Sequence, residues 1–331
     1  MNTTGKVRAV TAPDLRAAAA LMQRSWAQPC WRYTPEVLRD YLQRPSGEPE
    51  LTVGLERDGE LIGLFAGVPI DVRYRGTSQR AIFTTFLTVD PLAGDVTLAL
   101  RLYRELLANA RHLGRTHAYT VFFPAKETTK GVQAMFRLAG APMQILSAID
   151  FVIGPRSVVG PRLRTGPDTA LDVVRYASEH RAACADLLAR RDAALPLAVS
   201  TPPADVDFVL GGAPTTSTLL LRRDDQVLGL ICGREREIVR NRPQRNVQID
   251  HCFVADAAAP MRDAFLDAAL ASFFAAGVDS VTVPLQAGLR REDFARRGFF
   301  DAPHAAALAV AHLDPHTPSI EPNLPSFFEV F

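Results

Sequence analysis

Few side chains in this chain could move a proton, hold a metal or attack a carbon, and they are scattered. The four cysteines, Cys30, Cys184, Cys232 and Cys252, are far apart and form no Cys-x-x-Cys pair. That pattern fits a reducing compartment and predicts no zinc site. No Ser-His-Asp, metal-ligand or Walker-type spacing occurs, so a serine triad, metal chemistry and P-loop phosphoryl transfer are not indicated. Two proton acceptors do stand side by side, Asp250 and His251, in the run Gln248-Ile249-Asp250-His251-Cys252. A carboxylate and an imidazole are the usual general bases. Strand alternation would turn them to opposite faces, so that only one could face a given cleft. A structural salt bridge or hydrogen bond is the other reading of the pair. An aromatic-rich run, Trp26-Ala27-Gln28-Pro29-Cys30-Trp31-Arg32-Tyr33, separates the first two predicted helices; helix–loop packing accounts for it as well as a binding role does.

The elements that must position these residues come twice. Arg57-Asp58-Gly59-Glu60-Leu61-Ile62-Gly63-Leu64-Phe65-Ala66-Gly67 aligns without a gap with Arg223-Asp224-Asp225-Gln226-Val227-Leu228-Gly229-Leu230-Ile231-Cys232-Gly233, an offset of 166. Upstream, Val7-Arg8 answers Val174-Arg175; downstream, Val89 answers Val254, Gly114 answers Gly277 and Phe136 answers Phe294. The offset drifts slowly, as loop-length changes between two copies of one domain would make it, and the period is too long for a solenoid. In the first copy the pattern predicts a strand at Val7–Val10, helices at Asp14–Trp26 and Pro35–Gln43, and strands at Leu51–Glu56 and Leu61–Val68 joined by an Asp-Gly hairpin. A third strand, Arg80–Val89, leads to a helix at Leu98–Leu113 ended by Gly114. Strand Tyr119–Phe123, helix Thr129–Leu138 and strand Gln144–Ile153 close the copy. The boundaries read 1–153 for the first domain, 154–170 for a Pro/Gly-rich linker, 171–313 for the second domain and 314–331 for a tail. That tail ends in Phe327-Phe328-Glu329-Val330-Phe331, which is predicted to dock on the body because exposed aromatics are costly to hydrate.

This order of strand, two helices, three antiparallel strands, helix, strand, helix, strand resembles the GNAT superfamily of acyl-CoA N-acyltransferases. Phe86-Leu87-Thr88-Val89-Asp90-Pro91, followed by a short loop and a helix, is similar to that family's cofactor segment, and Phe136-Arg137-Leu138-Ala139-Gly140 and Phe294-Ala295-Arg296-Arg297-Gly298-Phe299 are similar to its closing helix. The resemblance implies an α/β chain of two tandem GNAT-like domains, each a mixed, mostly antiparallel sheet flanked by helices. It implies binding of acyl-CoA, or of an acyl-pantetheine on a carrier protein, at Leu87, Thr88, Val89, Gly94, Asp95, Val96, Thr97, Leu98 and Ala99. There, N–H groups at a helix N-terminus could receive a phosphate. The loop departs from the family pattern: its basic first residue is replaced by Gly94, and Thr97 stands where a glycine is usual. The second copy's segment, Val254–Arg262, has no glycine. The resemblance also makes Asp250 and His251 the candidate bases and places Trp26, Trp31 and Tyr33 beside the acceptor. Phe136 and Phe294 occupy the place of the family's general-acid tyrosine. The reading is an acyltransferase acting on a small amine; the alternative is a catalytically inactive tandem protein that binds a ligand or partner.

Composition adds limits. The chain has 331 residues, 47% of them apolar and 22% charged, with a net charge of +1, which argues against general nucleic-acid binding. Residues 1–165 carry 21 Lys+Arg against 14 Asp+Glu, and residues 166–331 carry 16 against 22. Drift, attraction between the halves, or an anionic ligand on the first half would each produce this split. Only three basic residues are lysines, an arginine bias that points to a GC-rich bacterial genome. No long apolar run and no apolar leader is present, so the expectation is a cytoplasmic chain without a membrane span and without bound metal.

Overall fold

The computed structural model describes residues 5–26, 30–93, 96–126, 129, 131–164, 171–224, 226–239 and 242–328. Two compact units emerge, and neither is contiguous in sequence. Among the described residues the first runs to Ala148 and adds Ala306–Leu324; the second is Ile149–Ala305 with residues 325–328.

In the first unit, strand β1 (Lys6–Ala9) is followed by helices α1 (Leu15–Ser25) and α2 (Pro35–Leu42), then β2 (Thr52–Arg57), β3 (Glu60–Tyr74) and β4 (Thr77–Val89). Thr34 caps α2, its side chain accepting from Val37 N–H. The Asp58-Gly59 turn between β2 and β3 puts both residues at positive φ, 53° and 82°, the geometry for which Asp-Gly is preferred. Helix α3 (Val96–His112), β5 (His117–Phe122), α4 (Val132–Leu138) and β6 (Met143–Pro155) follow. The second sequence copy repeats the order with β7 (Asp172–Arg175), α5 (Arg181–Ala194), α6 (Val206–Gly211), β8 (Thr216–Arg223), β9 (Gln226–Val239), β10 (Gln244–Val254), α7 (Arg262–Ala275), β11 (Ser280–Leu285), α8 (Arg291–Ala295) and β12 (Ala306–His312).

The two sheets have one topology. β1 to β4 pair antiparallel in the order β1-β2-β3-β4, and β4 then pairs parallel with β5. β7 to β10 do the same, and β10 pairs parallel with β11. The last antiparallel strand of each sheet comes from the other copy. β5 pairs with β12 through Ala307–His312, and β11 pairs with residues 150–155 of β6. The contiguous boundaries 1–153 and 171–313 therefore do not coincide with the compact units at the final strand of each copy. Two copies of one sequence offer similar strand edges, so an identical element can be exchanged at little cost, and local pattern does not reveal the exchange. The predicted linker is also partly ordered: a helical turn, Arg156–Val159, and a 3-10 turn, Gly160–Arg162, continue directly from β6.

The repeated glycines mark where helices cross the sheets. A Cβ on Gly63 or Gly67 would sit 3.0 Å from Leu102 Cδ1 or 3.1 Å from Leu106 Cδ1 of α3. On Gly233 it would meet Phe273 of α7 at 3.0 Å and Val247 Cγ1 at 2.5 Å. Close helix–sheet approach thus explains the spacing that exposed the duplication. Each sheet carries apolar packing on both faces. α3 and α4 bury Leu98, Leu102, Tyr103, Leu106 and Phe136 on one face of the first sheet, while α1 and α2 bury Leu21, Met22, Leu38 and Tyr41 on the other. The predicted tail docking holds for the described residues in the second unit. Ser326–Phe327 pairs with Leu197–Ala198, and Phe328 is fully buried, its backbone N–H and C=O both bonded to the Gln286 amide.

Candidate functional site

The site begins where β4 stops behaving as a strand. Its antiparallel register with β3 runs Gly63↔Val89 and Leu64↔Thr88, then resumes at Ala66↔Thr85. Phe86 and Leu87 thus oppose Phe65 alone, which is a β-bulge. Phe86 has φ 59°, a conformation uncommon for a bulky residue and one that marks stored strain. Two local bonds hold it. The Phe86 carbonyl accepts from Thr88 Oγ1 at 3.1 Å, and Thr88 Oγ1 in turn accepts from Trp26 Nε1 at 2.9 Å. On its other edge β4 pairs with β5 only over Ala81–Thr84. Thr84 Oγ1 donates to the Tyr119 carbonyl and Thr120 Oγ1 donates to the Thr84 carbonyl, each at 3.3 Å, at the point where the parallel ladder ends. Beyond it β5 pairs on with β12 to Phe122, while β4 continues to Val89 against β3. A parallel pair that parts beside a bulge leaves main-chain groups without ladder partners, facing an opening between strands.

Asp90 then turns the chain toward α3. Its Oδ1 accepts from Leu92 N–H at 2.9 Å and its Oδ2 from Arg24 at 2.9 Å. The backbone bond to Leu92, and secondarily Arg24, hold its carboxyl below the usual range. α3 starts at Val96, with Thr97 exposed, Leu98 buried and Ala99 half-buried. Leu87 and Val89 are half-buried and Thr88 is buried. The predicted cofactor residues from Leu87 to Val89 and from Val96 to Ala99 therefore lie on the bulged strand and the first turn of the helix after it. Gly94 and Asp95 lie outside the described residues. Trp26 and Tyr33 come together on the α1–α2 face beside Phe86, and Trp31 is half-buried near them in the same apolar cluster.

The second unit bulges in the corresponding strand, one position earlier in the alignment. Cys232 pairs with His251 and Gly233 with Ile249, leaving Asp250 as the extra residue. The offset of 165 that relates Val89 to Val254 relates Thr85-Phe86 to Asp250-His251. The bulge overturns the expectation from strand alternation. Ile249 and Cys252 both pack in the cluster under α7, while Phe253 packs under α5 and α6. Asp250 and His251, between them, therefore both turn to the α5–α6 face. Both are buried, at 5% and 1% exposure. Asp250 accepts from Gln248 Nε2 at 3.0 Å and sits 3.5 Å from Arg234. His251 Nδ1 is 3.0 Å from Arg191 Nη1. Arginine only donates, so this nitrogen accepts and the ring proton lies on Nε2. Arg191 also grips Asp192 at 2.6 Å and lies 3.7 Å over the Phe327 ring.

Phe136 and Phe294 are fully buried in the two cores, Phe136 against Tyr103 and Phe294 against Phe299, so neither place offers an acid. Burial pushes the Tyr103 and Tyr119 phenols well above their ordinary range and the Cys184 thiol up to about 12, which keeps all three protonated at neutral pH. Among the described residues no group of three or more His, Cys, Asp or Glu is placed to hold a metal ion, and no helix is long and apolar enough to cross a membrane. Sequence reasoning missed the bulge itself, the Thr84/Thr120 pair and the Trp26–Thr88–Phe86 chain. The one signal for the first was that Thr85-Phe86 and Asp250-His251 share the repeat offset.

The chain has the fold of the GNAT acyl-CoA N-acyltransferases, in two tandem units. No family model and no curated protein matches the chain. Solved structures do. Saccharomyces cerevisiae N-myristoyltransferase with bound myristoyl-CoA matches with a TM-score of 0.75 at 11% identity, over 94% of this chain and 83% of that one. A GCN5-related N-acetyltransferase from Anabaena variabilis matches at 0.61 and 11% identity, over 93% and 73%. A probable N-acyltransferase from Enterococcus faecalis matches at 0.58 and 13% identity, over 94% and 73%.

Proposed function

We propose that the first unit takes an acyl group from the thioester of coenzyme A, or of a carrier-protein pantetheine, and passes it to a small amine. The bulge at Phe86–Leu87 beside the parted β4–β5 pair carries this reading. A pantetheine arm is an extended amide chain, and an interrupted strand edge offers it the partners a neighbouring strand would supply. N–H groups that the register leaves out of the ladder at the bulge would suit the thioester oxygen as charge develops on it. The helix start at Val96 is suited to the phosphate end, as is the excess of basic residues in the first half. A solved structure of this fold with bound myristoyl-CoA supports an acyl-CoA as co-substrate. The Gly94 position, lacking the usual basic residue, favours a pantetheine with a single phosphodiester.

Acyl transfer needs the amine deprotonated and the departing thiolate protonated. With phenylalanine at both family tyrosine positions, water protonates a thiolate whose ordinary pKa is ~8.5. Asp250 and His251 are the proposed bases. Asp250 is the stronger candidate, because His251 Nδ1 already accepts from Arg191 and only its Nε2 could act, after a change of tautomer. Two measurements test the reading. A ligand at ~100 times its dissociation constant stabilises a protein by about 2.7 kcal/mol, so thermal-shift scans with free CoA, acetyl-CoA and longer acyl-CoAs report binding. Thiol release against pH in Asp250→Asn and His251→Ala reports the base. Binding without thiol release for any amine would make the chain an inactive ligand-binding protein. Wild-type profiles in both variants would remove Asp250 and His251 from the mechanism.

A further inference from the structure

The space beside the bulge is closed by rings. Phe86 meets Tyr33 edge to face at 5.1 Å and Tyr41 at 5.5 Å, and Tyr33 meets Trp26 at 5.3 Å. The stack is anchored to the strand through the Trp26–Thr88 hydrogen bond. Around it Leu21, Leu38, Tyr41, Leu64 and Ala66 have no accessible surface, and Phe86 keeps 4% and Tyr33 8%. A tunnel that admits an alkyl chain is wider than a water molecule and leaves accessible surface on its walls. These walls have almost none. The opposite face is closed as well: Phe65 packs on Tyr103 at 4.5 Å, and Leu102 and Leu106 are fully buried there.

We infer that the ring stack Trp26–Tyr33–Phe86–Tyr41 limits the acyl group to a short one, and that Tyr33 sets the limit. This rests on reading the first unit as the acyl-thioester site. A thioester carbonyl held at Phe86–Leu87 points its acyl chain at whichever face adjoins the bulge, and a long chain finds no room on either. Tyr33 is the ring that touches both Phe86 and Trp26. It also lies on the segment between α1 and α2 rather than within a helix, so its truncation opens space while leaving the helices in place. On this inference Trp26 and Tyr33 bound the acyl side of the site.

Titration calorimetry with free CoA, acetyl-CoA and octanoyl-CoA tests this on the wild-type chain and on Tyr33→Ala. Each methylene buried on binding tightens it about fourfold, so a buried octanoyl chain would gain well over a hundredfold. The expected result is that acetyl-CoA and octanoyl-CoA bind wild type within about threefold of each other. In Tyr33→Ala, octanoyl-CoA gains about tenfold or more over acetyl-CoA while free CoA is unchanged. If Tyr33→Ala does not fold, Tyr33→Leu carries the same comparison. A wild-type preference of a hundredfold or more for octanoyl-CoA overturns the limit and leaves the site reading intact, and an unchanged ratio in the folded variant overturns the role of Tyr33. Failure of all three, and of acetyl-phosphopantetheine, to bind wild type overturns the site reading and the limit with it.

Discussion

The two units share topology, glycine spacing and a bulge in the corresponding strand, and differ in what surrounds that bulge. In the first, Thr85-Phe86 lies against aromatic rings, and a bulky residue is held at positive φ by a threonine and a tryptophan. In the second, Asp250-His251 is absorbed into a buried set with Arg191, Asp192, Arg234 and Gln248, and none of the bulge residues has positive φ. The backbone device is thus a property of the fold, while its use depends on the side chains around it. An apolar surround keeps main-chain groups near the opening dry and unopposed. A surround of charged side chains gives the second bulge internal partners and joins it into a buried network.

The largest expected effect comes from breaking that network. Arg191→Ala removes one buried partner each from Asp192, His251 and Phe327, and loss of one member of a buried pair costs about 3–5 kcal/mol. Urea unfolding should show this, and a loss under 1 kcal/mol would mean the second-unit network is not structural. Next is a difference in acid sensitivity. In the first unit His117 is fully buried against His312 on the facing strand, with ring centroids 4.9 Å apart. Burial, then the neighbouring His312, outweigh the opposing Asp314 and hold His117 down to about 4. Its unfolded value is ~6.5. The stability from keeping it neutral is therefore complete above pH 6.5 and is lost as pH falls toward 4, about 3 kcal/mol in all and about 2 between pH 7 and 5. Unfolding at both pH values should show the loss, and His117→Phe should flatten it; an equal slope in the variant would place the acid sensitivity elsewhere.

A smaller effect separates the bulges directly. Thr88→Val takes the Thr88 hydroxyl from the half-buried Trp26 N–H and the Phe86 carbonyl and should cost about 1–3 kcal/mol, with weaker CoA binding and recovery in Thr88→Ser. The corresponding second-unit residue is Phe253, so no such bond exists there; unchanged CoA binding in Thr88→Val would show that the bulge is not held by this chain of bonds. The smallest is Thr34→Ala, which removes the α2 cap for about 1 kcal/mol. The counterpart helix α6 starts without a side-chain cap, and a first unit unmoved in thermal unfolding would make α2 independent of its cap.

Much of this was legible from residues alone. Gly63, Gly67, Gly229 and Gly233 announced a duplicated hairpin because a helix must cross close above each. Asp58-Gly59, Thr34, Gly114 and Gly140 marked turns and caps that depend only on local backbone geometry. Two features depended instead on long-range pairing. A bulge is one residue of register between strands joined by a turn, and nothing in Thr84-Thr85-Phe86-Leu87 or Ile249-Asp250-His251-Cys252 fixes it locally. Its consequence, turning Asp250 and His251 to the same face, reversed what alternation implied. The exchanged strands are the second case. Residues 150–155 and 306–312 read equally well as the last strand of their own copy, because duplication gave both edges similar chemistry. The sequence by itself determined the two-copy order of elements, their caps and turns, and the loss of tyrosine at Phe136 and Phe294, since each follows from local pattern. Only the tertiary structure decided which edge each last strand completes, which face Asp250 and His251 share, and that rings rather than space stand beside Phe86, since each follows from contacts between residues far apart in the chain.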